Sequence, residues 1–407
     1  MEQTKHYKIG IIGAGAAGLF LANLLIKKGE KPQNILLLER GERVGRKLSA
    51  TGNGQGNVTN LSVTKGGYFS LRQTSQSVEK IQNIINAYPD NSLKNFFAEL
   101  GVLLLPDERG RIYPASKQAS ALTDALRFAA AEIPTQLSAR VVKLQKQGGR
   151  YAITAQTPDG ETVYFAENVV LCTGGKAAKN FGTDGSAYTL ATAFSHTLTE
   201  LYPSLVQLKT DTAYTKTLKG IRVSDGKVTA RFAGQEVSLC GDIIFTDYGV
   251  SGDAIFRISA YMTDKIDKET TLSIDFLPEV SKTELTTLLQ SKQKAYPTID
   301  KSELLFGIVN NQIGRAIFRR ANGDIDKAIA LVKDFPLKVT GSLGFDYAQV
   351  TKGGIPLLET DENLQSVYTE GLYFAGEILD ADGACGGFNL QWAYASAHRV
   401  ADAILSK

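Results

Sequence analysis

Two glycine-lined helix starts stand at opposite ends of this chain, and together they could hold one long cofactor. Near the N-terminus, the run YKIGIIGAGAAGLF sets Gly13, Gly15 and Gly18, with Ala16 and Ala17 between them, directly after an apolar strand and at the mouth of a helix. There Gly13 permits a tight turn, Gly15 lets a pyrophosphate approach the backbone, and Gly18 lets helix and sheet pack closely. The free N–H groups and the helix dipole favour phosphate charge. Glu39, 21 residues beyond Gly18 at the end of a second strand and followed by Arg40, is a carboxylate placed to accept ribose hydroxyls. Near the C-terminus, GLYFAGEILDADGACGGFNLQWA (371–393) reads as a strand, then Gly376-Glu377, then a glycine-rich loop opening a helix near Asn389. A helix starting after Gly386-Gly387, through Phe388, Asn389 and Leu390, would aim its positive end at the flavin carbonyl where reduction deposits negative charge. FAD needs both cradles, whereas a simple NAD-binding Rossmann domain needs only the first. FAD is the expected cofactor.

Other segments are expected to reach the same group. The loop GRKLSATGNGQGNVTN (45–60) brings Arg46, Lys47, Thr51, Gly52, Asn53, Gly54 and Asn57, offering backbone N–H groups and two cations to a phosphate or a flavin edge. The run VVLCTGG (169–175) ends a buried strand in Thr173, Gly174 and Gly175, and Val141 begins a strand positioned to meet adenine through its backbone.

The elements that must position these residues follow from periodicity. Residues 7–40 form a βαβ unit, 78–87, 92–100 and 119–132 read as helices, and 139–145 with 150–156 read as a hairpin turning at Gly148-Gly149. Composition shifts near 195: β-type runs at 203–208, 227–233, 236–245 and 271–276 precede helical stretches at 281–293, 302–319 and 324–334. The expected fold is α/β. A discontinuous FAD-binding Rossmann domain (1–194 and 346–407, with a small helical subregion at about 68–135) carries an inserted mixed α+β domain (195–345) for the substrate, β-rich first and helical after.

A chain of 407 residues with net charge +3 and scattered basic residues gives no reason to expect a nucleic-acid partner. No apolar run approaches the roughly 18 residues of a membrane span, and the first ten residues lack a signal-peptide core, so a cytoplasmic location is expected. Cys172, Cys240 and Cys385 are too few and too far apart for a disulfide framework or a redox pair. His6, His196 and His398 sit in no metal or triad motif, and no metal is expected. Nothing in the sequence signals an oligomeric state.

The segments GAGAAGL (13–19), GRKLSATGNGQGNVTN (45–60), ERGRIYP (108–114), CTGGK (172–176), GDIIFTDYGVSGDAI (241–255), TKGGI (351–355) and 371–393 span almost the whole chain. Through them the chain resembles a bacterial flavoprotein family of the glutathione-reductase-like superfamily, whose members are known as NAD(P)/FAD-dependent oxidoreductases or aminoacetone oxidases. The aminoacetone oxidases of streptococci are the nearest resemblance. The chain departs from it at Gln55-Gly56, where the family carries Arg-Cys, and at Asp247 and Asp253, where it carries His and Pro.

Only one GxGxxG is present, and no redox-active cysteine pair. Together with the resemblance, this implies an oxidase of a small primary amine resembling aminoacetone. Hydride would pass to flavin N5, and O2 would take the electrons to give hydrogen peroxide, with the imine hydrolysed to a carbonyl and ammonia. Lys47 and Tyr248 are the candidate catalytic residues, with Asp247 a further candidate base. Two alternatives are an NAD(P)H-dependent flavin reductase of an unsaturated ketone and a non-enzymatic FAD-binding protein.

Overall fold

The computed structural model describes residues 6–72 and 74–406, which divide into two compact units, Met1–Tyr202 with Val350–Lys407, and Pro203–Gln349.

The first unit is built on a seven-stranded sheet. The strands Thr135–Gln136, Ile35–Leu38, His6–Ile12 and Gly160–Leu171 lie side by side and parallel, and Leu372–Phe374 also pairs in parallel with Gly160–Leu171. Arg150–Thr157 and Arg140–Gln147 extend the sheet as an antiparallel meander. The central strands are apolar on both faces, with Ile9, Ile11, Leu36, Leu37, Val170 and Phe374 at most 2% exposed, as expected of parallel strands covered on both sides. Register levels the strand ends: Ile12 pairs with both Leu38 and Leu171, and Leu171 pairs with Phe374. Gly13, Glu39, Cys172 and Ala375 therefore leave the sheet along one carboxyl edge, the edge where open α/β sheets bind ligands.

The first helix, Ala16–Lys27, lies against the final helix, Phe388–Leu405, and Phe20 meets Tyr394 edge-on at 5.4 Å. Helices Ser75–Ala87 and Asp90–Glu99 begin a little earlier than periodicity predicts. Thr74 accepts the Ser77 N–H and so starts the former, which the apolar pattern could not reveal.

The second unit is a closed barrel in the order Leu208–Thr210, Gly249–Ser251, Gln235–Phe245, Arg222–Phe232, Thr271–Asp275 and Phe335–Ser342. Alternate residues such as Val228, Ala230, Ile243, Phe245, Leu272, Ile274, Leu337 and Val339 fill its core. Two expectations need correction here. The helical second part is followed by a strand, Phe335–Ser342, which closes the barrel. The helix expected over 302–319 is a short 3-10 turn, Lys301–Glu303, followed by a separate helix, Asn311–Arg320. Gly307 at φ +69° and the Asn310 side chain, which accepts the Gln312 N–H, interrupt the run.

Candidate cofactor site

The three fingerprint glycines have distinct jobs. Gly13 turns at φ +101°, and a Cβ there would stand 2.6 Å from the Cys172 carbonyl oxygen. A Cβ on Gly18 would stand 1.9 Å from the Gly13 oxygen, so only glycine lets this helix follow this turn. At Gly15 a Cβ would meet nothing within 4 Å. Its open side borders the helix start, where Gly15 supplies no side-chain cap to the first N–H groups. Glu39 accepts the N–H of Ala14 at 2.9 Å through one oxygen and that of Gly41 at 2.7 Å through the other. It braces the turn while each oxygen keeps acceptor capacity. The Ala139 N–H donates to the Glu39 carbonyl at 2.8 Å, which sets the strand carrying Val141 beside this corner. Arg40 turns away to a two-pronged ion pair with Asp184, at 2.8 and 3.0 Å, and that guanidinium holds the Asp184 carboxyl well below the usual carboxylate range.

The 45–60 loop is used differently from the expectation of a cluster of free donors. The N–H groups of Gly54, Gln55 and Gly56 close the loop's own turns on Ala50, Thr51 and Gly52, and the Thr51 hydroxyl donates to the Leu48 carbonyl. The Asn57 amide donates to the Thr59 and Ile112 carbonyls. Gly52 and Asn53 remain at the exposed tip. Arg46 donates to the Asn180 carbonyl at 2.8 Å, and Lys47 Nζ lies 2.7 Å from Glu377 Oε2. Of the expected contacts, the side chains of Arg40, Arg46, Lys47 and Asn57 are committed to protein partners.

The carboxyl edge continues through Thr173, whose buried Oγ1 has no hydrogen-bond partner among the described residues, and through Gly174 and Gly175. Gly376, at φ +79°, donates its N–H to Ser396 Oγ and accepts from Trp392 Nε1 at 3.1 Å, so the final helix fixes both of its backbone groups. Gly387 begins that helix without a side-chain cap, and a Cβ there would lie 2.3 Å from the Thr59 carbonyl oxygen. Phe388 packs edge-on against Tyr68 at 5.5 Å. Asn389 uses its side chain to hold both the N–H and C=O of Gly383 at 2.8 Å, shaping the loop, and Leu390 is half-buried.

Two residues escaped sequence reasoning. Thr351 donates its N–H to Glu377 Oε1 at 2.9 Å and accepts from Lys176 and Ala177 through its hydroxyl. Gln391 accepts from Thr59 Oγ1 at 2.6 Å. Thr351 opens the TKGGI segment and Gln391 lies in 371–393, but their partners are remote in sequence, so no local pattern names these contacts. Tyr248 and Asp247 lie in the second unit: Tyr248 is half-buried, with its phenol pushed up by burial, while Asp247 is exposed and paired with Lys219 at 2.7 Å.

The residues fit FAD. An uncapped helix start, an open flank at Gly15, an unsatisfied threonine hydroxyl and a second uncapped helix start belong to one unit. Fold and site together define an FAD-dependent oxidoreductase built on a Rossmann sheet. The chain belongs to the HI0933-like Rossmann-domain family, whose model matches residues 7–403. It is 32% identical to a 3-dehydro-bile acid delta(4,6)-reductase of Clostridium scindens, over 96% of this chain and 97% of that one. It is 27% identical to a ribosomal RNA dihydrouridine synthase of Haemophilus influenzae, over 96% of each. Its fold is similar to that of a flavocytochrome c3 fumarate reductase in an open conformation, with TM-score 0.55, 16% identity, and coverage of 100% of this chain and 79% of that one. Among the described residues no helix is long and apolar enough to cross a membrane, and no cluster of His, Cys, Asp and Glu could hold a metal.

Proposed function

We propose that this protein reduces a carbon–carbon double bond conjugated to a carbonyl in a small molecule, using NAD(P)H through bound FAD. The observation that carries this reading is the reaction type shared by the two relatives' names. A delta(4,6)-reductase of a 3-oxo steroid and a dihydrouridine synthase each saturate a C=C in conjugation with a C=O, and both align over nearly the whole chain. Bound FAD supplies the hydride chemistry. In the net reaction, hydride from NAD(P)H ends on the carbon β to the carbonyl and a proton on the α carbon, leaving oxidised nicotinamide. The chain's own part is to grip the dinucleotide at Gly13–Gly18 and to present the start of the final helix to charge that builds up on reduction. The single GxGxxG leaves the nicotinamide without a fingerprint of its own, consistent with NAD(P)+ leaving before the enone enters. Scattered charge totalling +3 favours a small substrate over uridine within RNA.

The same single fingerprint also supports a second reading, oxidation of a small primary amine such as aminoacetone with O2 as acceptor. Anaerobic stopped-flow mixing separates the two. NADPH or NADH is expected to bleach the yellow absorbance, and a cyclic enone or a 3-oxo-Δ4 steroid to restore it. Bleaching by aminoacetone but not by NAD(P)H would establish the oxidase instead. Recolouring by uridine-containing RNA alone would move the substrate to nucleic acid.

A further inference from the structure

Lys47 and Glu377 form an ion pair that neither motif predicts. Lys47 Nζ lies 2.7 Å from Glu377 Oε2, and the side chains are 23% and 20% exposed. The partners come from the glycine-rich loop and from the turn after the strand Leu372–Phe374. The carboxylate is fixed from both sides, because its other oxygen accepts the Thr351 N–H at 2.9 Å. Thr351 is held in turn by the Lys176 and Ala177 N–H groups at 2.7 and 2.9 Å. A Cβ on Gly175 would lie 2.4 Å from Thr351 Oγ1 and 3.1 Å from Glu377 Oε1, so that backbone presses on both. The pair also adjoins the phosphate-binding helix start: Gly376, next to Glu377, approaches Ala17 so closely that an added Cβ would stand 2.8 Å from the Ala17 Cβ. Two opposite charges are thus clamped, half shielded from water, one residue from the cofactor cradle.

An unpaired ammonium at such a place would favour the reduced flavin, which carries the added electrons, and an unpaired carboxylate would disfavour it. Coulomb interactions there are stronger than at an exposed surface, since water screens them only partly. We infer that Glu377 is a positioning residue that holds Lys47 beside the cofactor and cancels its charge, keeping the flavin a strong hydride donor. The inference requires only that FAD binds in this cradle. It complements the reductase reading, in which a low potential favours hydride delivery to an enone, but it can fail independently of it.

The test is the midpoint potential of the bound flavin, measured by dye-coupled anaerobic reduction of the holoenzyme without substrate. Glu377→Gln keeps the volume and the acceptor for Thr351. It is expected to raise the reduction equilibrium at least tenfold, about 30 mV for a two-electron couple. Lys47→Met is expected to lower it by a similar factor, and the double variant to return within about threefold of the parent, the cancellation expected of directly interacting charges. FAD content and thermal midpoint are recorded for each protein. If Glu377→Gln loses its FAD, Lys47→Met carries the test alone, and an unchanged or raised potential there overturns the inference. Single variants that both stay within threefold of the parent also overturn it, as does a double variant shifted as far as a single. Loss of FAD from all three would make the pair part of the binding frame and overturn it as well. A parent protein that binds no flavin would instead refute the cofactor assignment, and a normal potential pattern without enone turnover would refute only the proposed reaction.

Discussion

Gly376 stands against Ala17: a Cβ built on the glycine would come within 2.8 Å of the alanine's own. Residues from opposite ends of the chain meet in this contact, and it joins the turn that carries Glu377 to the helix that opens at Gly15. Replacing Gly376 with alanine combines a left-handed φ of +79° with a steric overlap. Strain of about 1–2 kcal/mol from the backbone and about 1–3 from overpacking predict a clear loss of stability. The urea midpoint followed at Trp392, the single tryptophan, should fall, and FAD content should fall with it.

Gly15 and Gly18 should respond differently to the same methyl group. Gly15→Ala meets open space at an ordinary φ of −77°, so the apoprotein's stability should change by about 1 kcal/mol or less. The methyl would occupy the approach to the helix N–H groups, and FAD affinity should drop at least about tenfold, about 1.4 kcal/mol. Gly18→Ala drives a carbon into the Gly13 carbonyl and should destabilise the apoprotein itself. Flavin fluorescence titrations beside urea melts of the apoproteins separate the two effects.

Acid should weaken the first unit through two histidines, His196 buried and His398 half-buried. His196 is held by Glu359 and Ser366, and His398 by Asp402, yet burial outweighs those carboxylates and lowers both imidazoles below their ordinary value of 6.5. A depressed folded value means the unfolded chain takes up the proton first. Stability is then complete above about pH 6.5–7 and declines as pH falls toward the folded values, by at most about 1.4 kcal/mol per unit per group. Urea midpoints at about pH 7.5, 6.5 and 5.5 should show that slope, and His196→Gln should remove part of it.

Lys80 is 7% exposed, and its ammonium donates to the Leu357 carbonyl and to both the carbonyl and hydroxyl oxygens of Thr360, at 2.7–3.0 Å. Burial lowers its affinity for the proton, but three acceptors keep the site arranged for a cation. Lys80→Met leaves the Thr360 carbonyl without this donor, while the Leu357 carbonyl keeps the Thr360 N–H and hydroxyl, and should cost about 1–3 kcal/mol. Differential scanning calorimetry should show a lower first transition, with the flavin spectrum of the folded protein unchanged.

The parts of the fold legible in the sequence were those that single residues dictate. Gly13 and Gly18 answer to contacts that any Cβ would break, so their spacing announces the strand–turn–helix. The apolar runs of the central strands are equally local signals. Barrel closure was invisible, because pairing Leu208–Thr210 with Phe335–Ser342 depends on residues that share no local pattern. The break at Gly307 and Asn310 was hidden by an apolar period that continues across it. At the site, glycines and strand ends could be read, but side-chain commitments could not: nothing near Lys47 names Glu377, and nothing near Asn57 names Ile112.

The strand Leu372–Phe374 pairs beside Gly160–Leu171, and the helix that anchors Gly376 follows it. During translation, the early strands emerge long before these partners exist. At roughly 5–20 residues per second the ribosome needs on the order of ten to forty seconds to travel from Leu171 to Leu372. Over that interval the apolar Val169–Leu171 end of the strand Gly160–Leu171 waits for the partner it pairs with. The turn at Gly376 and the final helix are therefore the last pieces added to the first unit, so the candidate cofactor cradle is complete only when synthesis is nearly finished.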